Sequence, residues 1–247
     1  MRILEAIRII RKREPKKQSY GSPRLSKELN EKGIKCHKNR VARIMRANGL
    51  RARLKRKFII TTDSRHRNAI APNILKQEFD VRKPDIAYVS DITYIPTAEG
   101  WLYLAVVLDL FSRRIIGWAT GRELVTELVI KALNNAWTTR KPVSGAILHS
   151  DRGGQYASLE YGNVVKRYGY VQSMSSAGNC YDNAVMESFF HTLKTEWAGH
   201  YRYKTRAEAT SSIFDYIETF YNRERRHSKL DYLSPVEYEK RYAKLAA

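Results

Sequence analysis

Three strand-forming runs rich in Val, Ile, Tyr and Trp lie close together in the middle of the chain: Ala87–Ile95, Trp101–Leu108 and Arg113–Thr120. The gaps between them hold Glu99-Gly100 and Leu110-Phe111-Ser112 and are only turn-length. Parallel neighbours would need a crossover of about a dozen residues or more, so these gaps predict an antiparallel meander. The texture then alternates. Glu123–Thr138 is expected as an amphipathic helix, Ala146–Ser150 as a short buried strand, Leu159–Tyr168 as a helix and Tyr170–Ser173 as another strand. Asp182–Trp197 carries Val185, Phe189 and Leu193 four residues apart and predicts a helix, with mostly helical structure from Arg206 onward. The expectation is an α/β core, a mixed five-stranded sheet with flanking helices.

Ahead of this core the pattern is helical and strongly basic. Residues 2–13 read as a short helix with Ile3, Leu4, Ile7 and Ile10 on one side, stopped by Pro15. Ser22 as N-cap and Pro23 at the first helical position open a second helix, which ends at Gly33. A third, roughly His37–Ala47, turns Val41, Ile44 and Met45 inward and Lys38, Arg40, Arg43 and Arg46 outward. Two short helices about a glycine-containing turn, the second one basic, predict an all-α helix-turn-helix domain. The chain carries 45 Lys+Arg against 25 Asp+Glu. Of these, 22 basic and 5 acidic residues fall within 1–70, leaving the remainder near neutral. That layout suits a nucleic-acid grip joined to a second module, although anionic lipid or simple solubility would also use the charge. Arg51, Arg53, Lys55, Arg56 and Lys57 continue the basic run as an extended segment placed to lie along phosphates. The expected boundaries are 1–62 for the helix-turn-helix domain, 63–83 for a linker, 84–200 for the core and 201–247 for a helical extension.

Cys36 and Cys180 lie far apart and form neither a CxxC pair nor a zinc finger, as expected of reduced cytosolic thiols. No charged-then-apolar leader is visible. The longest apolar runs, such as Leu104–Leu108, are far too short for a bilayer, so a cytoplasmic protein with no membrane partner is expected.

Three carboxylates stand out. Asp91 falls mid-strand among apolar neighbours, where a charge calls for a partner or a cation. Asp151 ends a strand and precedes Gly153-Gly154, where an α/β sheet exposes side chains at a crevice. Glu187 shares a polar helical stripe with Asn183, His191 and Lys194. Each position has an ordinary explanation: a solvated strand face, a turn, the wet side of a helix. Together they suit magnesium, which takes hard oxygen ligands and substrate phosphate. Two such ions ~4 Å apart activate the attacking oxygen and neutralise the leaving one in an in-line displacement. No GxxxxGK[ST] loop is present to bind ATP.

The stretches Ser90–Tyr94, Leu108–Arg113, His149–Tyr156, Ser175–Asn179 and Asn183–Phe190, with the tail Tyr221-Asn222, Arg226-His227 and Ser234-Pro235, resemble the OrfB transposases of insertion-sequence family three, relatives of retroviral integrases. The strand and helix order agrees with the ribonuclease-H-like core that this resemblance implies. In that family 35 residues part the second and third members of an Asp-Asp-Glu triad, and 35 part Asp151 from Glu187 here. The resemblance implies Asp91, Asp151 and Glu187 as catalytic metal ligands for Mg2+ or Mn2+, two ions per site. Lys194, with His191 on its stripe, would contact DNA ends, while Asp109, Asp182 and Asn183 would be structural or lie behind the ligands. It further implies strand cleavage and strand transfer at insertion-sequence ends, assembly as a homo-oligomer on DNA, and an OrfA-type partner or fusion. The zinc module of retroviral integrases has no counterpart here. Against this stand three readings: a catalytically silent DNA-binding protein, a ribonuclease-H-type nuclease acting on RNA–DNA hybrids, and a tyrosine or serine recombinase. The last lacks the Arg/His constellation that a nucleophile would need.

Overall fold

The computed structural model describes residues 3–53, 68–142, 144–176 and 180–246. Lys55, Arg56, Lys57 and the 177–179 part of the loop motif lie outside the described residues.

The first three helices are α1 (Ile3–Arg13), α2 (Ser22–Glu31) and α3 (Lys38–Ala47). Ile7 and Ile10 of α1 close over Leu25, Leu29, Val41 and Met45, all buried. Gly21, not Ser22, is the N-cap of α2, because the helix already includes Ser22 and Pro23 in its first turn. Its end is set by Gly33 at φ 79°, where the N–H of Ile34 returns to Leu29 O at 2.8 Å. The Asn30 amide then clamps the turn, donating to Cys36 O and accepting from Cys36 N at 2.9 Å each.

The sheet is built from β1 (Ala87–Thr97), β2 (Gly100–Asp109), β3 (Ile115–Gly121), β4 (Ile147–Ser150) and β5 (Val171–Met174), in the order β3-β2-β1-β4-β5. β1 to β3 pair antiparallel as the short gaps required, and β4 and β5 join parallel through helical crossovers. The crossovers are α4 (Thr126–Arg140) and α5 (Leu159–Arg167), which cover one face over Tyr88, Ala105, Val107 and Leu148. α4 begins three residues later than its periodicity suggests. On β3, Gly117 faces α4 so closely that a Cβ would stand 2.4 Å from Ala132 O.

The opposite face carries Val89, Ile95, Leu104, Val106 and Leu108 and is covered by α6 (Ala184–Glu196) and α7 (Arg206–Phe214). A π-helical turn at Asp215–Tyr221 continues α7, and α8 (Pro235–Ala246) closes the chain. The π turn delivers Asn222 to the start of β3, where its side chain bonds both the N–H and the C=O of Ile115 at 2.9 Å.

The amino-terminal helices share one continuous apolar cluster with this second face. Ion pairs reinforce the dock. Arg226 reaches Glu28 and Glu31 of α2, Arg24 reaches Glu196 at the end of α6, and Lys16 reaches Asp215 at 2.7 Å. Residues 68–83, expected as linker, run against the core. Leu75 is buried, and the backbone N–H groups of Ile74 and Leu75 donate to Ser173 Oγ. Among the described residues no helix is long and apolar enough to cross a membrane.

Candidate active site

Parallel pairing aligns Ser90 of β1 with Ser150 of β4, so the next residues, Asp91 in the middle of β1 and Asp151 just past the end of β4, fall side by side. Asp91 is half-buried and sits opposite Val106 of β2 on the face that α6 covers. Its Oδ1 accepts from the N–H of Ile92 at 2.7 Å, and its Oδ2 accepts from Asn183 Nδ2 at 2.9 Å. Asn183 caps α6, so the residue expected behind the ligands touches one of them directly. The Asp151 carboxylate folds back onto the N–H of Gly153 at 2.9 Å. A Cβ at Gly153 would stand 3.1 Å from that same oxygen, which explains the glycine.

Glu187 lies in the first turn of α6 and is exposed, as is His191 one turn later. Lys194 completes the stripe with its ammonium over the Tyr94 ring at 4.8 Å. Burial first, then the negative charge of Asp151 and of Glu187, pushes the Asp91 carboxyl well above the usual carboxylate range. Lys194 is pushed the other way by its burial, with Asp91 pulling it back up. The three carboxylates therefore share one electrostatic neighbourhood. Even so, no three His, Cys, Asp or Glu side chains among the described residues stand close enough to hold a metal ion. Asp91 and Asp151 fall side by side, and the charge of Glu187 reaches Asp91. The donors fit a hard divalent cation: carboxylate oxygens alone, repelling one another, with the Oδ1 of Asn183 buried beside them and unpartnered.

The remaining expected site residues fall elsewhere. Asp109 is fully buried at the far end of β2, opposite Tyr88, with Oδ1 on the Phe111 N–H and Oδ2 3.6 Å from Arg140. It belongs to an ion cluster with Asp85, Arg114 and Glu239 of α8, so of the two roles expected for it the structural one fits and the role behind the ligands does not. Burial raises its pKa to about 7 despite Arg140. Asp182 ties the loop and the 68–83 segment to the start of α6, accepting from Ser176 N, Asn73 and Gln77 at 2.7–2.9 Å. Burial would raise it, but the Ser176 N–H and the Gln77 amide hold it below its ordinary value. Lys38, Arg40, Arg43 and Arg46 are all exposed on the outer side of α3, as are Arg51 and Arg53 beyond it. These last two are placed from the backbone: Arg51 O accepts from Arg11, and the Arg53 N–H donates to Gln18 O.

Sequence reasoning missed the support beneath the carboxylates. Ser90 Oγ lies 3.0 Å from Tyr156 Oη, and the buried His149 sits between Ser173 and Ser175, held neutral at a pKa of about 4 by burial. Polar residues at His149 of β4, Ser173 of β5 and Ser175 just past it were the available signal, but they resemble the solvated face of a strand.

Comparison with known proteins agrees with this arrangement. Integrase core domain models match residues 81–180 and 187–242, and an HTH-like domain model matches residues 1–58. The chain is 46% identical over 231 residues to the insertion element IS600 31 kDa protein of Shigella sonnei, covering 94% of this chain and 85% of that one. It is 44% identical over 223 residues to the transposase InsF for insertion sequence IS3A of Escherichia coli, covering 90% and 77%. Two solved structures share the fold at low identity. A chain of the simian T-cell lymphotropic virus intasome, in complex with PP2A regulatory subunit B56 gamma, has a TM-score of 0.53 at 14% identity and covers 89% and 70%. The catalytic core domain of BIV integrase has a TM-score of 0.50 at 16% identity and covers 66% and 98%. With this likeness spanning nearly its whole length, the chain belongs to the InsF family of insertion-sequence transposases, with an HTH-like domain followed by an integrase core.

Proposed function

We propose that this transposase cleaves and joins DNA strands at insertion-sequence ends by polynucleotidyl transfer, with Asp91, Asp151 and Glu187 holding Mg2+ or Mn2+, two ions per site. The observation that carries the reading is that Asp91 and Asp151 follow the last parallel pair of β1 and β4, where burial and then the charges of Asp151 and Glu187 raise Asp91. Carboxylates gathered at a crevice with a shifted pKa suit a divalent cation and a polyanionic substrate. Divalent cations held there would activate the attacking oxygen and stabilise the leaving one.

The chain's own residues do the rest. Asn183 and the Ile92 N–H fix the Asp91 carboxylate, and the Gly153 N–H fixes that of Asp151. The Lys194 ammonium, steadied on Tyr94, and the exposed His191 approach the DNA end. No side chain is required to become covalently bound to DNA. On the other module, Lys38, Arg40, Arg43 and Arg46 of α3, with Arg51 and Arg53 beyond it, meet DNA, and Lys55, Arg56 and Lys57, next in the sequence, are assigned to the same contact. Assembly as a homo-oligomer on DNA, with an OrfA-type partner or as its fusion, belongs to the same proposal.

The test is a strand-transfer assay on labelled element-end DNA with magnesium or manganese, with and without an OrfA-type partner. Metal-dependent cleavage and joining by the wild-type chain is expected, and products that form equally in EDTA would sink the metal assignment. Replacing Arg43 and Arg46 together should weaken DNA binding and flatten its salt dependence by about one unit of slope per lost phosphate contact. An unchanged slope would remove α3 from the DNA interface.

A further inference from the structure

A second charged feature lies on another flank of α6, away from the Glu187 stripe. A cavity of about 420 Å3 opens between α2, the β2–β3 turn, α6 and residues 225–229. That volume is within the range of pockets that take small ligands. Four cations line it, Arg24, Arg113, Arg225 and Lys229, and no acid lines it among the described residues. Three of the four are already matched from outside the cavity. Arg24 and Arg225 converge on Glu196 at 2.9 and 2.8 Å, and Lys229 pairs with Asp80.

Arg113 differs. It forms no ion pair with a described carboxylate; its Nη2 donates to Phe79 O at 3.2 Å, and its Nη1 is buried with no partner. A buried, charged N–H left unsatisfied is uncommon in a folded protein and points to a missing acceptor. The field in the cavity has a consistent sign. His227 on its wall is held well below its ordinary pKa by burial and then by Arg225, Arg24 and Arg113. A neutral histidine among arginines leaves the cavity open to an anion and closed to a cation. Thr192, on α6, supplies a hydroxyl on the same wall. A phosphate group, with several acceptor oxygens in a compact shell, satisfies guanidinium, ammonium and hydroxyl donors together.

We propose that this cavity is an oxyanion site that takes a phosphate group, with Arg113 and Lys229 as its principal donors, and that a phosphodiester of the bound DNA supplies it. This rests on the DNA-processing reading above and adds a contact separate from Lys194 and His191. A phosphate seated here bears on α2, α6 and the 225–229 segment at once. DNA would thereby be tied to the helix that carries Glu187 through a group remote from the reacting strands.

The experiment uses the full chain without metal, in EDTA, with inorganic phosphate and a short DNA duplex as probes. Two variants are compared with the wild type. Arg113→Gln removes the unpartnered donor, and Thr192→Glu places a carboxylate in the cavity without removing any hydrogen bond described there. Inorganic phosphate should raise the wild-type Tm, and both variants should lose that rise. Duplex affinity should fall several-fold in both, with a salt slope shallower by about one. Absence of phosphate protection in the wild type would overturn the site. Protection that both variants lose while duplex affinity and slope stay unchanged would overturn DNA as the source, leaving a free anion. Strand cleavage by the wild type is scored separately, so the failure of this site and the failure of the proposed function are distinguishable.

Discussion

The two ends of α6 handle charge in opposite ways. Near its amino-terminal end, Asp91, Asp151 and Glu187 face one another with Lys194 as the cation that acts on Asp91, and the Asp91 carboxyl is pushed up. At its carboxy-terminal end, Glu196 is as deeply enclosed, yet it receives two hydrogen bonds from Arg225 at 2.8 Å and one from Arg24 at 2.9 Å. Burial alone would raise Glu196, but Arg225 and Arg24 hold it below the usual range. Glu28 behaves likewise: burial opposes it, and Lys17 and Arg226 lower it. One cluster is complete within the chain and holds the amino-terminal domain to the core. In the other, like charges lie together, and the proposed divalent cations would supply the opposite charge. The acids of the dock are thus held by arginines of the chain itself, while the carboxylates proposed as metal ligands act on one another.

That comparison can be broken most forcefully at the carboxylates. Asp151→Asn and Asp91→Asn should each reduce strand cleavage by about a thousand-fold or more, since several kcal/mol of transition-state stabilisation is lost. Their Tm should stay level or rise, because each relieves repulsion, and DNA binding should persist. A fully active Asp151→Asn protein would end the metal-site assignment.

At the compensated end the effects should reverse in kind. Arg226→Ala leaves Glu28 with Lys17 and the more distant Lys32 and takes the arginine from Glu31, and breaking a buried pair of this sort costs about 3–5 kcal/mol. Thermal unfolding should show a large drop in Tm; a loss below about 1 kcal/mol would mean that apolar packing alone holds the dock.

The smallest effect concerns pH. Asp109 has its folded pKa raised to about 7 against an unfolded value near 4, so the folded state binds the extra proton between those values. Its contribution is present at low pH and is lost as pH rises toward 7. Glu28 and Glu196, with lowered pKa values, contribute above the unfolded carboxylate range and lose that contribution as pH falls below it. A Tm–pH series should therefore show the Asp109→Asn protein without the decline between about pH 4 and 7. An unaltered decline would assign it to other groups.

The strands of the sheet and the three amino-terminal helices could be read in the sequence because each follows from local rules. Alternating apolar runs set the strands and turn-length gaps set their direction, whereas the pairing of Asp151 with Glu187 came from the 35-residue spacing of the family they resemble. Asn183 could be read as well, since it lies four residues before Glu187 on one stripe. The dock was not legible. Arg225 and Arg226 sit in an irregular segment where charge normally means exposure, and their partners lie about 30 and 200 residues away in sequence. The same limit applied to residues 68–83, whose polar composition reads as a tether although Asn73 and Gln77 bond to Asp182. Asp109 shows the converse, a family-like position whose carboxyl is buried against Arg140 of α4, away from the other carboxylates.

The central claim is that Asp91, Asp151 and Glu187 bind divalent cations, whereas the acids of the dock are answered by arginines of the chain. Manganese titration of the full chain at neutral pH, followed by electron paramagnetic resonance with and without end DNA, tests it without relying on turnover. The account predicts saturable binding by the wild type, strengthened by DNA and approaching two ions per chain, that disappears in Asp151→Asn and survives in Arg113→Gln. Equal manganese binding by wild-type and Asp151→Asn proteins would contradict it.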